Sequence, residues 1–191
     1  MARILVVNGH ADPSPERFAA ALAEAYARGA AAAGHAVDRL AVADVPVEFL
    51  RNAAEFAASP PEPVARAQER IAAADHLVLV YPLWLGTMPA RLKAFLEQVA
   101  RGEFLLSTGG DGWPARKMRG KSARVIVTMG MPAIAYRLFF GAHSLRALEK
   151  GILGMAGFAP VRDTVLGGVE GGPEKRARML ATVEALGRKG G

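Results

Sequence analysis

Short apolar runs alternate with amphipathic stretches along the chain, and this alternation restricts the fold more than any other feature of the sequence. Parallel strands covered on both faces are almost continuously apolar, whereas strands with one solvent-facing side alternate in polarity. We predict five strands: Arg3–Asn8, Val37–Val42, His76–Tyr81, Ser122–Thr128 and Val161–Leu166. Because helical segments separate them, successive strands are expected to run parallel in one sheet.

The segments between these strands show helical spacing. Phe18, Ala21, Leu22 and Ala25 share one predicted helix face, and Gly34 is a suitable end for that helix. Further helices are predicted over Pro63–Ala74, Ala90–Ala100, Ser144–Ala156 and Pro173–Leu186. Residues 1–191 are therefore expected to form a single α/β domain of three layers. It is a doubly wound fold whose five-stranded parallel sheet has the order 2-1-3-4-5.

The composition excludes several classes of protein. The chain contains no cysteine, which excludes disulfides, thiolate catalysis and cysteine-bound metals, and we expect no metal site. The longest apolar run, Leu77–Leu85, is interrupted by Pro82 and is far shorter than the roughly 20 residues of a membrane span. The N-terminus enters a strand pattern without the features of a signal peptide, so a cytoplasmic protein without an integral membrane segment is expected.

A net charge of +6 permits contact with nucleic acid, an anionic membrane or an anionic small molecule. The densest basic cluster, Arg116–Lys121, is not accompanied by a known nucleic-acid-binding motif. We therefore expect a solvated loop there, and no nucleic-acid partner.

Ligands of doubly wound sheets bind beyond the carboxyl ends of the strands, which directs attention to three loops. The first loop, Asn8–Arg17, leads into a helix N-terminus, whose free N–H groups and dipole favour an anion. His10, Ser14 and Arg17 can add a hydroxyl group and positive charge. A proline-rich turn in which Ser14 caps the helix is an equally good interpretation, since neither the dinucleotide glycine motif nor the Walker motif is present.

The second and third loops supply apolar and hydroxylic groups. In the second loop, Pro82–Pro89, the large side chains of Trp84 and Leu85 suit a wall for a flat aromatic ring, although core packing would also explain them. In the third loop, Thr128–His143, Gly130 allows the backbone to approach a ligand. Tyr136 and His143 are its candidate proton donors, with ordinary packing as the alternative.

Three ordered segments carry a resemblance to a known family. They are Gly9-His10-x-Asp12-Pro13, then Tyr81-Pro82-Leu83-Trp84 with Met88-Pro89-Ala90-x-Leu92-Lys93-x-Phe95, and Gly120-Lys121-Ser122-Ala123 running into Thr128-Met129-Gly130. The stretch Ile152-Leu153-Gly154-Met155-x-Gly157-Phe158 fits as a fourth. On these segments the chain resembles the flavodoxin-like NAD(P)H:quinone oxidoreductases, and the second segment is the most specific.

The resemblance implies a tightly held FMN or FAD, with NAD(P)H as co-substrate. The flavin phosphate would fall on His10, Ser14, Arg17 and Phe18, the isoalloxazine ring on Pro82, Leu83, Trp84 and Leu85, and the pyrimidine side on Thr128, Met129 and Gly130. Tyr136 matches a family tyrosine that assists hydride transfer. His143 lies one residue beyond the corresponding family histidine, and both are expected to be catalytic.

The activity implied by the resemblance is two-electron hydride transfer from NAD(P)H through the flavin to a quinone-like acceptor, by a ping-pong mechanism in a homodimer. Four aromatic residues are candidates for the dimer interface or for local loop packing: Phe49, Phe56, Phe104 and Trp113. Two alternatives stay open. One is a flavin-binding electron carrier, which the positive charge disfavours; the other is a regulatory or ancillary subunit that docks through Arg116–Lys121.

Overall fold

The computed structural model describes residues 1–107 and 114–190. Its strands are β1 (Arg3–Asn8), β2 (Ala36–Ala41), β3 (His76–Pro82), β4 (Leu106–Ser107), β5 (Ala115–Arg116), β6 (Ser122–Met129) and β7 (Val161–Gly167). Five of them form one parallel sheet in the order β2-β1-β3-β6-β7, and β4 pairs with β5 in a separate antiparallel ladder. The predicted order 2-1-3-4-5 is confirmed.

Helices cover both faces of the main sheet, which gives three layers. They are α1 (Phe18–Ala32), α2 (Ala53–Ala57), α3 (Glu62–Ala73), α4 (Ala90–Val99), α5 (Ala133–Leu138), α6 (His143–Arg146) and α7 (Gly172–Lys189). A 3₁₀ turn, Val42–Asp44, follows β2, and a π-helix, Ala147–Gly154, continues α6. The helices α1 and α7 cover one face, while α3, α4 and the α6–π-helix segment cover the other. Among the described helices, none has the length and apolar character needed to cross a membrane.

The predicted helix over Ser144–Ala156 differs from the observed structure. Most of this segment is the π-helix, which has wider turns than an α-helix. A Cβ atom on Gly154 would lie 2.9 Å from the carbonyl oxygen of Glu149, so a glycine is needed at this crowded turn. The predicted loops also contain the short elements α2, α5, β4 and β5, which are too short to show a periodic apolar pattern.

The strands are apolar on both sides because each side packs against a helical layer. In β1, Leu5 and Val7 join the core beneath α3 and α4, whereas Ile4 and Val6 join the core beneath α1 and α7. The register pairs Asn8 with Val80 and Pro82 with Thr128. The loops after β1, β3 and β6 therefore leave the sheet side by side at its carboxyl edge.

A buried polar network lies at the opposite, amino edge of the sheet. The His76 ring is 2% exposed and lies between the Tyr26 hydroxyl, at 3.2 Å, and the Ser122 hydroxyl, at 2.7 Å. Burial, reinforced by the positive charges of Arg124 and Arg162, lowers the pKa of His76 to about 4. This histidine is therefore neutral at pH 7 and connects β3 to α1 and β6, away from the candidate site.

The helices α1 and α7, which cover the same face of the sheet, approach each other at two glycines. A Cβ atom on Gly29 would lie 1.9 Å from the carbonyl oxygen of Glu184, and one on Gly187 would lie 2.1 Å from the carbonyl oxygen of Tyr26. Both obstructing atoms belong to the backbone, so they cannot move aside as a flexible side chain would. The close packing of these helices therefore depends on both glycines.

Replacing Gly187 with alanine is expected to lower the free energy of unfolding by roughly 1–3 kcal/mol, because the added methyl group forces α1 and α7 apart. Gly151→Ala is the matched control, since a Cβ atom at that helical position meets no atom within 4 Å. Urea unfolding followed by circular dichroism measures both variants. Equal stability of the two variants would contradict the proposed close helix contact.

Candidate functional site

Side chains of the first loop hold its backbone in place. Asn8 Oδ1 accepts a hydrogen bond from the His10 N–H at 3.1 Å, and His10 Nδ1 accepts one from the Asp12 N–H at 2.9 Å. Asp12 Oδ1 accepts from the Ser14 N–H at 2.8 Å, and Ser14 Oγ accepts from the Glu16 N–H at 3.3 Å. This series of local turns fixes the loop between β1 and α1, and it leaves the Ser14 hydroxyl able to donate.

The first turn of α1 lacks a side-chain cap. Arg17 occupies the capping position with extended backbone, and its side chain makes no capping hydrogen bond. The N–H groups that helix geometry leaves without intrahelical partners can therefore bind an anion. The Arg17 guanidinium donates from Nε to Asp12 Oδ2 at 2.7 Å. Its charge is thus partly neutralised, and the Ser14 N–H and Arg17 together lower the pKa of Asp12.

The first loop contacts the second loop through two rings. His10 and Trp84 pack edge to face with their ring centroids 5.3 Å apart. Burial lowers the pKa of His10. Because its Nδ1 accepts a hydrogen bond, the neutral ring carries its proton on Nε2. The contact joins the start of α1 to the apolar side chains of the second loop.

The second loop is a tight hairpin with an exposed apolar tip. Trp84 and Thr87 exchange two backbone hydrogen bonds, of 2.8 and 3.0 Å, around Leu85 and Gly86. Both central residues are left-handed, with φ of 47° at Leu85 and 80° at Gly86. A left-handed leucine is strained, and its side chain is fully exposed while that of Trp84 is about half exposed. The loop therefore holds two large apolar groups outward.

The third loop presents backbone rather than side chains at its start. The side chains of Thr128 and Met129 are buried, and the Thr128 carbonyl accepts a hydrogen bond from the Leu83 N–H at 2.7 Å. Gly130 is exposed, but a Cβ atom there would lie 3.4 Å from Glu170 Oε1. The Glu170 carboxylate, which sequence reasoning missed, is therefore the group that approaches Gly130 in this structure.

A cleft of about 470 Å³ opens between the second loop and the α6–π-helix segment. Of the predicted site residues it contains Trp84 and Leu85. The other described residues of its wall were not predicted to form the site: Thr87, Met88, Pro89, Ala90, Lys93, Ser144, Ala147, Leu148 and Ile152. Five of these wall residues belong to segments that carry the family resemblance: Met88, Pro89, Ala90, Lys93 and Ile152. No motif marks Ser144.

The two predicted catalytic residues differ in burial and in their contacts. Tyr136 is 2% exposed, and its hydroxyl lies 2.8 Å from Ser144 Oγ. His143 is exposed, and its ring lies against the backbone of Gly141. The structure therefore places Ser144, and not the histidine beside it, against the tyrosine hydroxyl.

A second tyrosine is buried near Tyr136. Burial raises the pKa of Tyr81, and the neighbouring Tyr136 and Glu149 raise it further. Within the described ranges, the Tyr81 hydroxyl has no hydrogen-bond partner. Such a buried, unpaired hydroxyl is unusual in a folded protein.

The predicted interface aromatics have different environments. Phe49 and Phe56 are exposed, and Phe56 also lines a separate apolar cavity of about 230 Å³. Phe104 packs against the core, and Trp113 lies outside the described residues. The sequence did not predict a further exposed apolar surface, which contains more residues than Phe49 and Phe56 together. We call it the α5 patch; it is formed by the exposed side chains of Ile134, Leu138, Phe139 and Phe140.

Fold and site together define a flavodoxin-like protein with its ligand region at the carboxyl edge of the sheet. The chain belongs to the Flavodoxin_2 family, described as a flavodoxin-like fold, whose family model matches residues 2–189.

Several of the similar proteins are named as oxidoreductases. An FMN-dependent NADH:quinone oxidoreductase of Ruegeria pomeroyi is 34% identical over 68 residues, which are 36% of this chain and 33% of that protein. The structure of an NAD(P)H:quinone oxidoreductase from Methanothermobacter marburgensis has a TM-score of 0.82 and 25% identity, covering 98% of this chain and 96% of the other. Smu.1420 from Streptococcus mutans has a TM-score of 0.82 and 26% identity, covering 98% and 99%. The curated relatives are matched over about a third to three fifths of their own length.

Proposed function

We propose that the protein is a flavin-dependent oxidoreductase that transfers hydride from NAD(P)H to a quinone-like acceptor. The FMN-dependent quinone oxidoreductase of R. pomeroyi supports FMN as the flavin, and the M. marburgensis quinone oxidoreductase matches nearly the whole chain. A cytoplasmic location is part of the proposal, because NAD(P)H is supplied there.

The contact between His10 and Trp84 carries the proposal. It joins an uncapped helix N-terminus, which favours an anion, to the apolar residues of the second loop, Pro82–Leu85, of which Trp84 and Leu85 also line the cleft. FMN has this division of polarity, with a phosphate at one end and a flat ring at the other. Without the contact between His10 and Trp84, the phosphate end and the apolar end would be two separate sites. With it, they form one continuous surface.

The residues present fit such a ligand. The N–H groups of the first turn of α1, the Ser14 hydroxyl and the His10 Nε2 proton would hold the phosphate. Pro82, Leu83, Trp84 and Leu85 would cover the ring and exclude water. The Gly130 backbone would meet its polar edge. When bound, the flavin supplies the hydride chemistry, and the protein supplies position and polarity.

One cleft would serve both substrates in turn. NAD(P)H occupies it first and leaves, and the acceptor then takes the same position, as a ping-pong mechanism requires. A volume of about 470 Å³ suits one flat ring system at a time.

The two alternatives have less support. An electron carrier finds its partners through charge, and a net charge of +6 is opposite to that expected for an acidic carrier. Docking through Arg116–Lys121 is weakened because the Lys121 ammonium donates to the Ala72 and Ala74 carbonyls, at 2.7 and 2.6 Å. Met118, in the middle of this cluster, is buried.

A homodimer formed through the α5 patch completes the proposal. Ile134, Leu138, Phe139 and Phe140 are each more than half exposed in the single chain. Contiguous apolar surface of this kind marks an interface with a protein or a membrane. The patch lies within the third loop, so a second copy seated on it would lie beside the candidate site and could help to enclose it.

The activity test is reduction of bound flavin under anaerobic conditions. Protein loaded with FMN should lose its visible flavin absorbance on addition of NADH or NADPH, and 1,4-naphthoquinone should restore it. Stoichiometrically bound FMN that neither nucleotide reduces would overturn the proposed activity. A redox titration in two separated one-electron steps, without reduction by nicotinamide, would support the electron carrier instead.

The phosphate position is tested by Asp12→Asn. Asparagine Oδ1 can keep the hydrogen bond from the Ser14 N–H, but the change releases Arg17 and removes a negative charge beside the helix N-terminus. FMN should bind roughly two- to fivefold more tightly by flavin fluorescence, since favourable charge at such a position contributes about 0.3–1 kcal/mol. Riboflavin, which has no phosphate, is the control and should bind as it does to the parent protein. An equal change for both flavins would place the phosphate elsewhere.

The dimer is tested by Phe139→Asp, which puts a charge into the α5 patch. The parent protein should have twice the 20.1 kDa mass of one chain in sedimentation equilibrium, and the variant should dissociate. Phe49→Asp is the matched control because Phe49 is equally an exposed phenylalanine but lies outside the patch. A monomeric parent protein, or equal dissociation of both variants, would contradict this interface.

A further inference from the structure

We infer that Ser144 is the residue whose hydroxyl binds the oxygen atom of the acceptor ring in the cleft, and that Tyr136 is a positioning residue acting through it. This inference rests on the proposed function and assigns the polar contact that orients a quinone. It gives Ser144 a role that neither its sequence context nor the family resemblance indicates.

The two hydroxyl groups differ in their access to the cleft. Ser144 forms part of the cleft wall, whereas Tyr136 is 2% exposed and is not among the residues of that wall. The 2.8 Å separation of their oxygens shows a hydrogen bond. A ligand in the cleft therefore meets the serine hydroxyl first, and the tyrosine lies behind it.

The direction of this hydrogen bond follows from acidity. A phenol is a stronger acid than an aliphatic alcohol and hence the better donor, and a buried Tyr136 hydroxyl requires a partner. With Tyr136 donating, Ser144 Oγ is the acceptor, and its own proton is free to point into the cleft. The cleft thereby gains a positioned donor, which suits a carbonyl oxygen.

Two other polar side chains line the cleft, and neither is held in the same way. Lys93 forms an ion pair with Glu97 one helical turn away. Thr87 lies in the hairpin of the second loop, where its backbone N–H and carbonyl bond to Trp84. Within the described residues, Ser144 is the polar side chain of the cleft that bonds to a buried side chain outside the cleft wall, that of Tyr136.

The local backbone explains why His143 does not take this role. Ala142 is left-handed, with φ of 48°, and its N–H donates to the Tyr136 carbonyl at 3.1 Å. The chain reverses there and begins α6, in which neighbouring side chains point about 100° apart. Ser144 consequently faces Tyr136 while the His143 ring lies outward over Gly141.

The test compares two ligands with the same carbon skeleton, of which only one has carbonyl oxygens. Equilibrium dialysis measures the binding of 1,4-naphthoquinone and of naphthalene to FMN-loaded protein in the absence of NAD(P)H. Ser144→Ala should weaken naphthoquinone binding roughly five- to tenfold, the effect of losing one hydrogen bond, and leave naphthalene binding unchanged. Ser144→Thr should restore most of the loss. Thr182→Val, which removes a hydroxyl on α7 on the other face of the sheet, should bind both ligands as the parent protein does.

Tyr136 is tested by non-additivity. Tyr136→Phe should weaken naphthoquinone binding two- to threefold, since Ser144 remains but is no longer oriented. The double variant Ser144→Ala with Tyr136→Phe should bind no more weakly than Ser144→Ala alone. In steady-state assays, Ser144→Ala should raise KM for the quinone while KM for NAD(P)H and the affinity for FMN stay unchanged, which general destabilisation would not produce.

Different results overturn the inference and the proposed function. Protein that binds FMN and is reduced by NAD(P)H, but whose Ser144→Ala variant binds naphthoquinone as tightly as the parent, refutes the role of Ser144 alone. Equal weakening for naphthoquinone and naphthalene also refutes it, because the loss then comes from cleft shape. Failure of the parent protein to take up FMN refutes the proposed function itself.

Discussion

Backbone pairing between three parallel strands is the constraint on which the site depends. The ladder continues one residue past the strands, where the Gly9 N–H donates to Val80 and the Leu83 N–H donates to Thr128, both at 2.7 Å. These two bonds fix where the first and second loops begin. Glycine suits this position, because a Cβ atom would lie 2.7 Å from Leu92 Cδ2 of α4 and would force that side chain to move. A slip in register would separate His10 from Trp84, and with it the anion-binding end from the ring cleft.

The loops that follow this ladder differ in how they are held. The first loop uses its own side chains to bind its backbone N–H groups, so its shape depends little on a ligand. The second loop stores strain at Leu85, whose left-handed backbone most residues avoid, and in return exposes two apolar side chains. The rigid, polar first loop and the strained, apolar second loop form the ligand-binding surface before the ligand binds. Less conformational entropy is therefore lost on binding.

The sheet could be predicted from the sequence because burial on both faces leaves a simple signal. Continuous apolar runs such as His76–Tyr81 identify buried strands, and helical segments between them require parallel connections. The positions of the three loops then follow from topology alone. The hairpin at Leu85–Gly86 does not, since a left-handed leucine has no sequence signal. The contact of His10 with Trp84 does not either, since it depends on packing between segments far apart in sequence.

The pairings around Tyr136 and Arg17 could not be predicted for a similar reason. The family resemblance implied that Tyr136 and His143 are both catalytic, but after the left-handed residue Ala142 it is Ser144 that meets the tyrosine hydroxyl. Arg17 was expected to add positive charge, but the turns at Asp12 and Ser14 fold the Asp12 carboxylate back onto it. In both cases one turn changes which side chains meet. The periodic pattern of apolar residues, from which strands and helices are predicted, contains no information about such a turn.

The short helix α5 connects the proposed acceptor contact with the proposed dimer. Tyr136 faces inward from this helix to Ser144, whereas Ile134 and Leu138, four residues apart, face outward as part of the α5 patch. A six-residue helix is too short to be stable by itself, so the packing of its inner side, at Tyr136, must hold it in place. A partner subunit covering the outer side would therefore steady the inner side as well. Through α5, the proposed assembly and the proposed orientation of Ser144 would depend on the same few residues.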